Sequence, residues 1–192
     1  STSDNHGGLK MSDTKLGIGL ATGMFFHAPA GTALPTYPAE TLDEAWAEVG
    51  DVTDEGITYA TDKSTQTLKN WANVIKRVIA ESHEETIQAP IMDTTEESLK
   101  TVVGSENVTT TPAVEGTHGR LVNVNLSAAE LPEPEAFLWL MKDGDSMIAI
   151  GCTKGQVTSV DNVSFAPNSS INWVPTITAM DEGFQMIIDE GE

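Results

Sequence analysis

Residues 16–21 alternate large and small side chains, with Leu16, Ile18 and Leu20 set against Gly17, Gly19 and Ala21. A period of two is the signature of a strand. The nearly flat face would let another backbone or another subunit approach closely, and the strand is expected to run on through Met24, Phe25 and Phe26. Further strands read at 57–61, 64–71 and 73–80, and less cleanly at 84–91. In the segment 73–80, Val74, Lys76 and Val78 alternate with Ile75, Arg77 and Ile79. Each face carries apolar atoms and one cation, which places this strand between a core and a polar interface. Strands resume at 107–111, 120–126, 136–142, 146–152, 156–165, 171–177 and 184–188. Residues 136–142 are apolar on both faces and are expected to be central. Asp143-Gly144 reads as the two-residue turn of a hairpin with 146–152.

Two segments break this pattern. Thr94-Thr95-Glu96-Glu97 has the form of a capping box, with Thr94 as N-cap and Glu97 reaching back. Leu99, Val102 and Val103 make one apolar stripe, the acids lie where the helix dipole favours them, and Gly104 ends the helix. This predicts one short α-helix at about residues 95–103, stable only when packed on a sheet. The other break is residues 27–43, where Pro29, Pro35 and Pro38 forbid a central strand or helix interior. That length exceeds an ordinary connection. Residues 28–44 are therefore read as a Pro/Gly-rich arm, with Leu34 and Tyr37 as anchors on a neighbour. The expected fold class is mainly β: an antiparallel β-sandwich or barrel with one short α-helix. No internal repeat is visible.

The chain has 192 residues, 39% of them hydrophobic, enough for one core. One domain over residues 11–192 is expected. Residues 1–10 (STSDNHGGLK) are polar and unpatterned and precede Met11; they read as an expression-tag remnant, with a disordered natural terminus as the rival reading. No apolar run approaches the roughly 20 residues of a membrane helix, so no membrane anchor is expected. The net charge of −19 argues against gripping nucleic acid or anionic lipid, and fits a surface that repels DNA. The charge is also uneven. Residues 39–62 hold eight acids and no Lys or Arg, whereas residues 63–80 hold Lys63, Lys69, Lys76 and Arg77 and no acid. Such blocks can pair within the domain or set register between copies.

Catalytic chemistry finds little support. Gly144-Asp145-Ser146 resembles an esterase serine block, but it sits in a turn and no histidine follows His118 to act as base. Gly17, Gly19 and Gly23 lack phosphate-loop spacing. His83-Glu84-Glu85 and His118 lack zinc-site spacing, and adjacent acids on a strand point to opposite faces. The lone Cys152 lies in an apolar run and reads as a buried small hydrophobe. No catalytic, cofactor-binding or metal residue is assigned, no cofactor is expected, and the chain is read as a non-enzyme.

The arm Ala28-Pro29-Ala30-Gly31-Thr32-Ala33-Leu34-Pro35 is followed by Ala45-Trp46-Ala47-Glu48-Val49-Gly50 and by the turn Asp54-Glu55-Gly56-Ile57-Thr58. Then come Leu68-Lys69-Asn70-Trp71 and a helix feeding Glu106-Asn107-Val108-Thr109. In this order the chain resembles the major tail tube proteins of siphophages, especially those of phages and prophages of Gram-positive hosts. The resemblance covers most of residues 11–192 and implies a structural virion protein. It implies hexameric rings stacked into a tail tube, with DNA passing through the lumen without specific binding. The implied partners are further copies of the chain, the tape-measure protein and other tail proteins. The implied place is the virion tail, after synthesis in the bacterial host cytoplasm. The self-assembly arm is assigned to Pro29, Gly31, Leu34, Pro35, Tyr37 and Trp46. The alternative is another virion or secreted β-sandwich, such as a tail terminator, a decoration protein or an adhesion module. On the arm reading, deletion of residues 28–40 is expected to leave a folded chain that cannot assemble. Tubes formed by the deletion variant, seen by electron microscopy, would exclude the arm as the stacking element.

Overall fold

The computed structural model describes residues 16–19 and 24–191. The tag-like residues 1–10, the start at Met11 and the continuation of the first strand through residues 20–23 lie outside the described residues. The elements in chain order are β1 (Ile18–Gly19), β2 (Phe25–Pro29), β3 (Ala47–Gly50), β4 (Thr58–Lys69) and β5 (Ile75–Gln88), then α1 (Glu96–Val103). They continue with β6 (Val108–Thr111), β7 (Leu121–Val124), β8 (Glu135–Asp143), β9 (Ser146–Val160), β10 (Pro175–Ala179) and β11 (Gln185–Asp189). The described residues are mainly β, with antiparallel sheets and one α-helix, as the alternation in the sequence implies.

β8 organises the fold because its side chains are apolar on both faces. Phe137 and Trp139 point into one buried cluster with Phe25, Ile87, Ile91, Ile177 and the helix residues Leu99 and Val102. Ala136, Leu138 and Leu140 point into the other, with Ala28, Trp46 and Ala149. The rings of Phe25 and Trp139 stack with centroids 4.8 Å apart, an offset geometry that adds to the gain from burial. Nine strands form one antiparallel sheet in the order β3-β2-β8-β9-β10-β5-β4, with β1 also on β8 and β11 also on β9. The 15-residue β9 therefore serves two partners in turn, pairing with β11 along Met147–Gly151 and with β10 further on. β6 and β7 form a separate two-stranded sheet.

α1 is capped one residue later than the sequence pattern indicates. Thr95 is the N-cap: its hydroxyl accepts from the Ser98 amide at 3.2 Å, and the Ser98 hydroxyl accepts from the Thr95 amide at 2.8 Å. Thr94 is displaced because its Oγ1 accepts a hydrogen bond from the buried Trp173 Nε1 at 3.1 Å, and Glu97 is used elsewhere. Gly104 ends the helix at φ 93°, a backbone state that favours glycine. The β8–β9 turn also lies one residue on, as Gly144-Asp145 between the paired Asp143 and Ser146.

Close approach explains Gly151. A methyl group there would run into the Phe137 carbonyl and meet the Leu34 side chain at 2.9 Å. Backbone cannot yield as a flexible side chain can. Gly151→Ala is accordingly expected to destabilise the fold by about 1–3 kcal/mol, read as a lower midpoint in urea unfolding. An unchanged midpoint would show that β8 and β9 can separate at this point.

Candidate functional site

Most strands here have a buried side. β4 and the outer part of β5 do not. All twelve residues of β4 are exposed, as is β5 up to Val78. The two strands pair with each other from Thr58↔Gln88 out to Lys69↔Ile75, but β5 meets β10 only at Thr86, Ile87 and Gln88. The hairpin thus projects as a ribbon with a bare β4 edge and a bare β5 edge along residues 75–85. At ~3.3 Å per residue, that free length is roughly 35 Å. The expectation that residues 73–80 border a core is corrected here: both faces are open. The segments 57–61 and 64–71 form one continuous strand, with shifts in register at Ser64/Thr65 and Leu68/Lys69.

The tip is well formed. The Asn70 amide donates to the Val74 carbonyl at 2.9 Å, the Asn73 amide to the Asn70 carbonyl at 2.9 Å, and the Val74 amide to Asn70 Oδ1 at 2.9 Å. Asn73 sits at φ 61°, which asparagine tolerates. This turn holds Trp71 wholly in solvent, at 105% relative exposure. Leu68, Val74, Ile75 and Val78 are exposed beside it. Nearer the body the ribbon is laced by polar cross-strand pairs, Ser64 with Ser82 at 2.6 Å and Thr61 with His83 at 3.0 Å. At its base, Tyr59 donates to Glu85 at 2.6 Å, and this hydrogen bond to the carboxylate raises the phenol above its ordinary range.

The cations divide in the same way. Lys100 pairs with Glu96 and Glu97, Arg120 with Glu96, Lys142 with Glu40 and Lys154 with Asp181. These are all the described Lys and Arg outside the hairpin. The four on it, Lys63, Lys69, Lys76 and Arg77, join none of the ion pairs among the described residues.

The arm residues are brought together, but on their own sheet. Pro29 ends β2, and the Gly31 amide donates to the Thr153 carbonyl of β9 at 2.8 Å. Leu34 and Leu42 pack on the cluster that holds Trp46 and Leu138. Pro35 is half-buried, and Tyr37 stands out at 64% exposure. Excision of residues 28–40 would open this core as well as remove the arm.

A family model described as phage tail tube protein matches residues 12–187. The chain belongs to the phage tail tube protein family. No curated protein matches it. As a tail tube protein it has a structural role in the tail of the virion, in a family that self-associates, works with other tail proteins and is typically non-enzymatic. The described residues contain no helix long and apolar enough to cross a membrane and no group of three or more His, Cys, Asp or Glu placed to hold a metal. Cys152 is buried, and desolvation pushes its thiol up to about 12, which leaves it unreactive.

Sequence reasoning missed a second feature of this tail tube protein, the seat of its helix. His27 of β2 is buried, with Nδ1 3.1 Å from Glu135 of β8 and Nε2 3.1 Å from Glu97 of α1. A neutral imidazole has one N–H, so satisfying two carboxylates requires the cation. Burial opposes that charge, but the hydrogen bonds and charges of Glu135 and Glu97 outweigh it and raise the His27 pKa. The folded chain then holds a proton that the unfolded chain releases near pH ~6.5. The stabilisation is complete below that pH and is lost as pH rises through the raised folded-state value. Unfolding free energy is expected to fall across this window, with the slope removed in His27→Gln. Urea titrations between about pH 6 and 9 check this; equal slopes in both proteins would show that His27 is neutral.

Proposed function

We propose that this tail tube protein closes into hexameric rings that stack head to tail, enclosing a lumen for DNA and the tape-measure protein. Synthesis in the cytoplasm of the bacterial host precedes assembly. The observation that carries the reading is the β4–β5 ribbon. A two-stranded hairpin is marginal alone in water, and a bare edge is a template for another strand. Edge-to-edge closure of identical ribbons removes every free edge, as in a barrel. Because the β4 edge differs from the β5 edge, such pairing is head-to-tail, the heterologous contact that generates rings. The excess of negative charge suits a wall along which DNA slides without sticking. In this reading residues 28–44 line a second contact, with Pro29, Gly31, Leu34, Pro35 and Trp46 holding the arm in shape and Tyr37 presented to a neighbour.

Concentrated protein lacking residues 1–10, incubated for days, is expected to show hollow tubes or six-fold rings by negative-stain electron microscopy. The double variant Ile75→Asp, Val78→Asp changes only exposed side chains. It should unfold within about 0.5 kcal/mol of the parent and form no tubes. Tubes from the variant would remove the ribbon from the interface. A closed assembly of another symmetry from the parent would count against the tube.

A further inference from the structure

A groove opens beside α1 on the body of the protein. Val102, Leu126, Leu131, Val160, Phe165 and Trp173 form its apolar lining, and its volume is about 350 Å³. Leu126, Leu131 and Phe165 are 61%, 51% and 67% exposed, so nothing from the described chain covers them. Glu130 lies in the lining and no Lys or Arg does. Glu133 and Asp161 adjoin lining residues in the chain. Large apolar side chains around an open concavity mark a place where something docks.

We propose that the groove receives the hairpin tip of a second copy of this chain, with Trp71 as the inserted side chain. The proposal rests on the self-assembly reading above and specifies one contact within it. Three observations choose this occupant. Trp71 is the most exposed large apolar side chain among the described residues, and a tryptophan offers roughly 150–250 Å² for burial. It is wholly exposed in its own chain, so it does not fill its own groove. The tip carries Lys69, Lys76 and Arg77 without acidic partners, while the groove lining holds Glu130 and no Lys or Arg, with Glu133 and Asp161 beside it in the chain. Opposite patches of this kind set register as two surfaces meet. The ribbon's reach of roughly 35 Å carries the tip beyond its own body. Knob and hole lie on different surfaces of one molecule, so the contact is heterologous and propagates from copy to copy.

The test mixes two singly substituted proteins, Trp71→Cys and Ser159→Cys, under tube-forming conditions with mild oxidation. Ser159 is exposed at the groove, and buried Cys152 stays silent. Any disulfide joining the two substituted positions must then lie between copies. It is expected to be enriched roughly tenfold or more over a collision control of Trp71→Cys with Thr110→Cys, since seating raises the effective concentration of the thiols. The emission of Trp71, isolated by comparison with Trp71→Phe, is expected to shift to the blue on assembly. Tubes without the link or the shift would overturn the contact and leave the tube standing; this is also the result if a different tail protein fills the groove. The link in dimers or in a closed assembly of another symmetry would uphold the contact and overturn the tube. Neither link nor assembly would overturn both.

Discussion

A backbone amide or carbonyl at the edge of a sheet must find a partner, and the β4–β5 ribbon cannot find its partners within one chain. Its β4 edge is bare from end to end, and its β5 edge is bare until the three residues that meet β10. Its faces are no better served. Val74, Ile75 and Val78 lie exposed on a structure too thin to have an inside. Burial, the largest favourable term in folding, therefore does little for this part of the molecule in isolation. In the proposed assembly, other copies supply both the missing strands and the missing core.

The rest of the chain is arranged to hold that ribbon firmly at its base. Ile87 of β5 is fully buried beside Trp139 and Ile177, and the Glu85 carboxylate accepts from both Tyr59 Oη and the Phe184 amide. The aromatic rings of Tyr59 and Phe184 meet edge to face. Above this anchor the body closes its own account without help. β8 feeds a core on each face, the arm covers one of them, and the imidazolium of His27 ties α1 to the sheet. The same salt-bridged helix reaches the β6–β7 sheet through Glu96 and Arg120. A body whose described Lys and Arg are all matched stands next to a ribbon whose Lys and Arg are all unmatched.

Much of this was legible from local pattern. Strand alternation and the buried character of 136–142 follow from side-chain period alone, and the helix stop at Gly104 follows from backbone freedom. The error of one residue at the helix cap arose where a distant partner decided between equivalent local choices. Trp173 occupies the Thr94 hydroxyl, so the cap passes to Thr95. The larger misreading concerned 73–80, whose mixed apolar and cationic faces resemble those of a strand half inside a core. Sequence pattern reports that a side chain seeks burial, not whether its own chain provides it. His27 carried no local signal, because both of its carboxylates come from remote segments. Ala28 and Pro29, read as the start of the irregular arm, instead end β2 between β3 and β8, where Pro29 closes the strand, and the docking of the arm on β9 through Gly31 and Leu34 depends on tertiary contacts that spacing does not encode.

Charge reconciles solubility with association. At low ionic strength two strongly acidic copies repel each other, which keeps free subunits apart. Over separations greater than about 8 Å at physiological salt that repulsion is largely screened. At contact the local distribution matters instead of the sum, and the ribbon presents cations where the body presents acids. In the proposed assembly, short-range complementarity and the closing of bare strand edges outweigh that repulsion. The unpaired cations of residues 63–80 are then not a flaw in the surface of a monomer. In the proposed assembly they face the acids that the next copy carries.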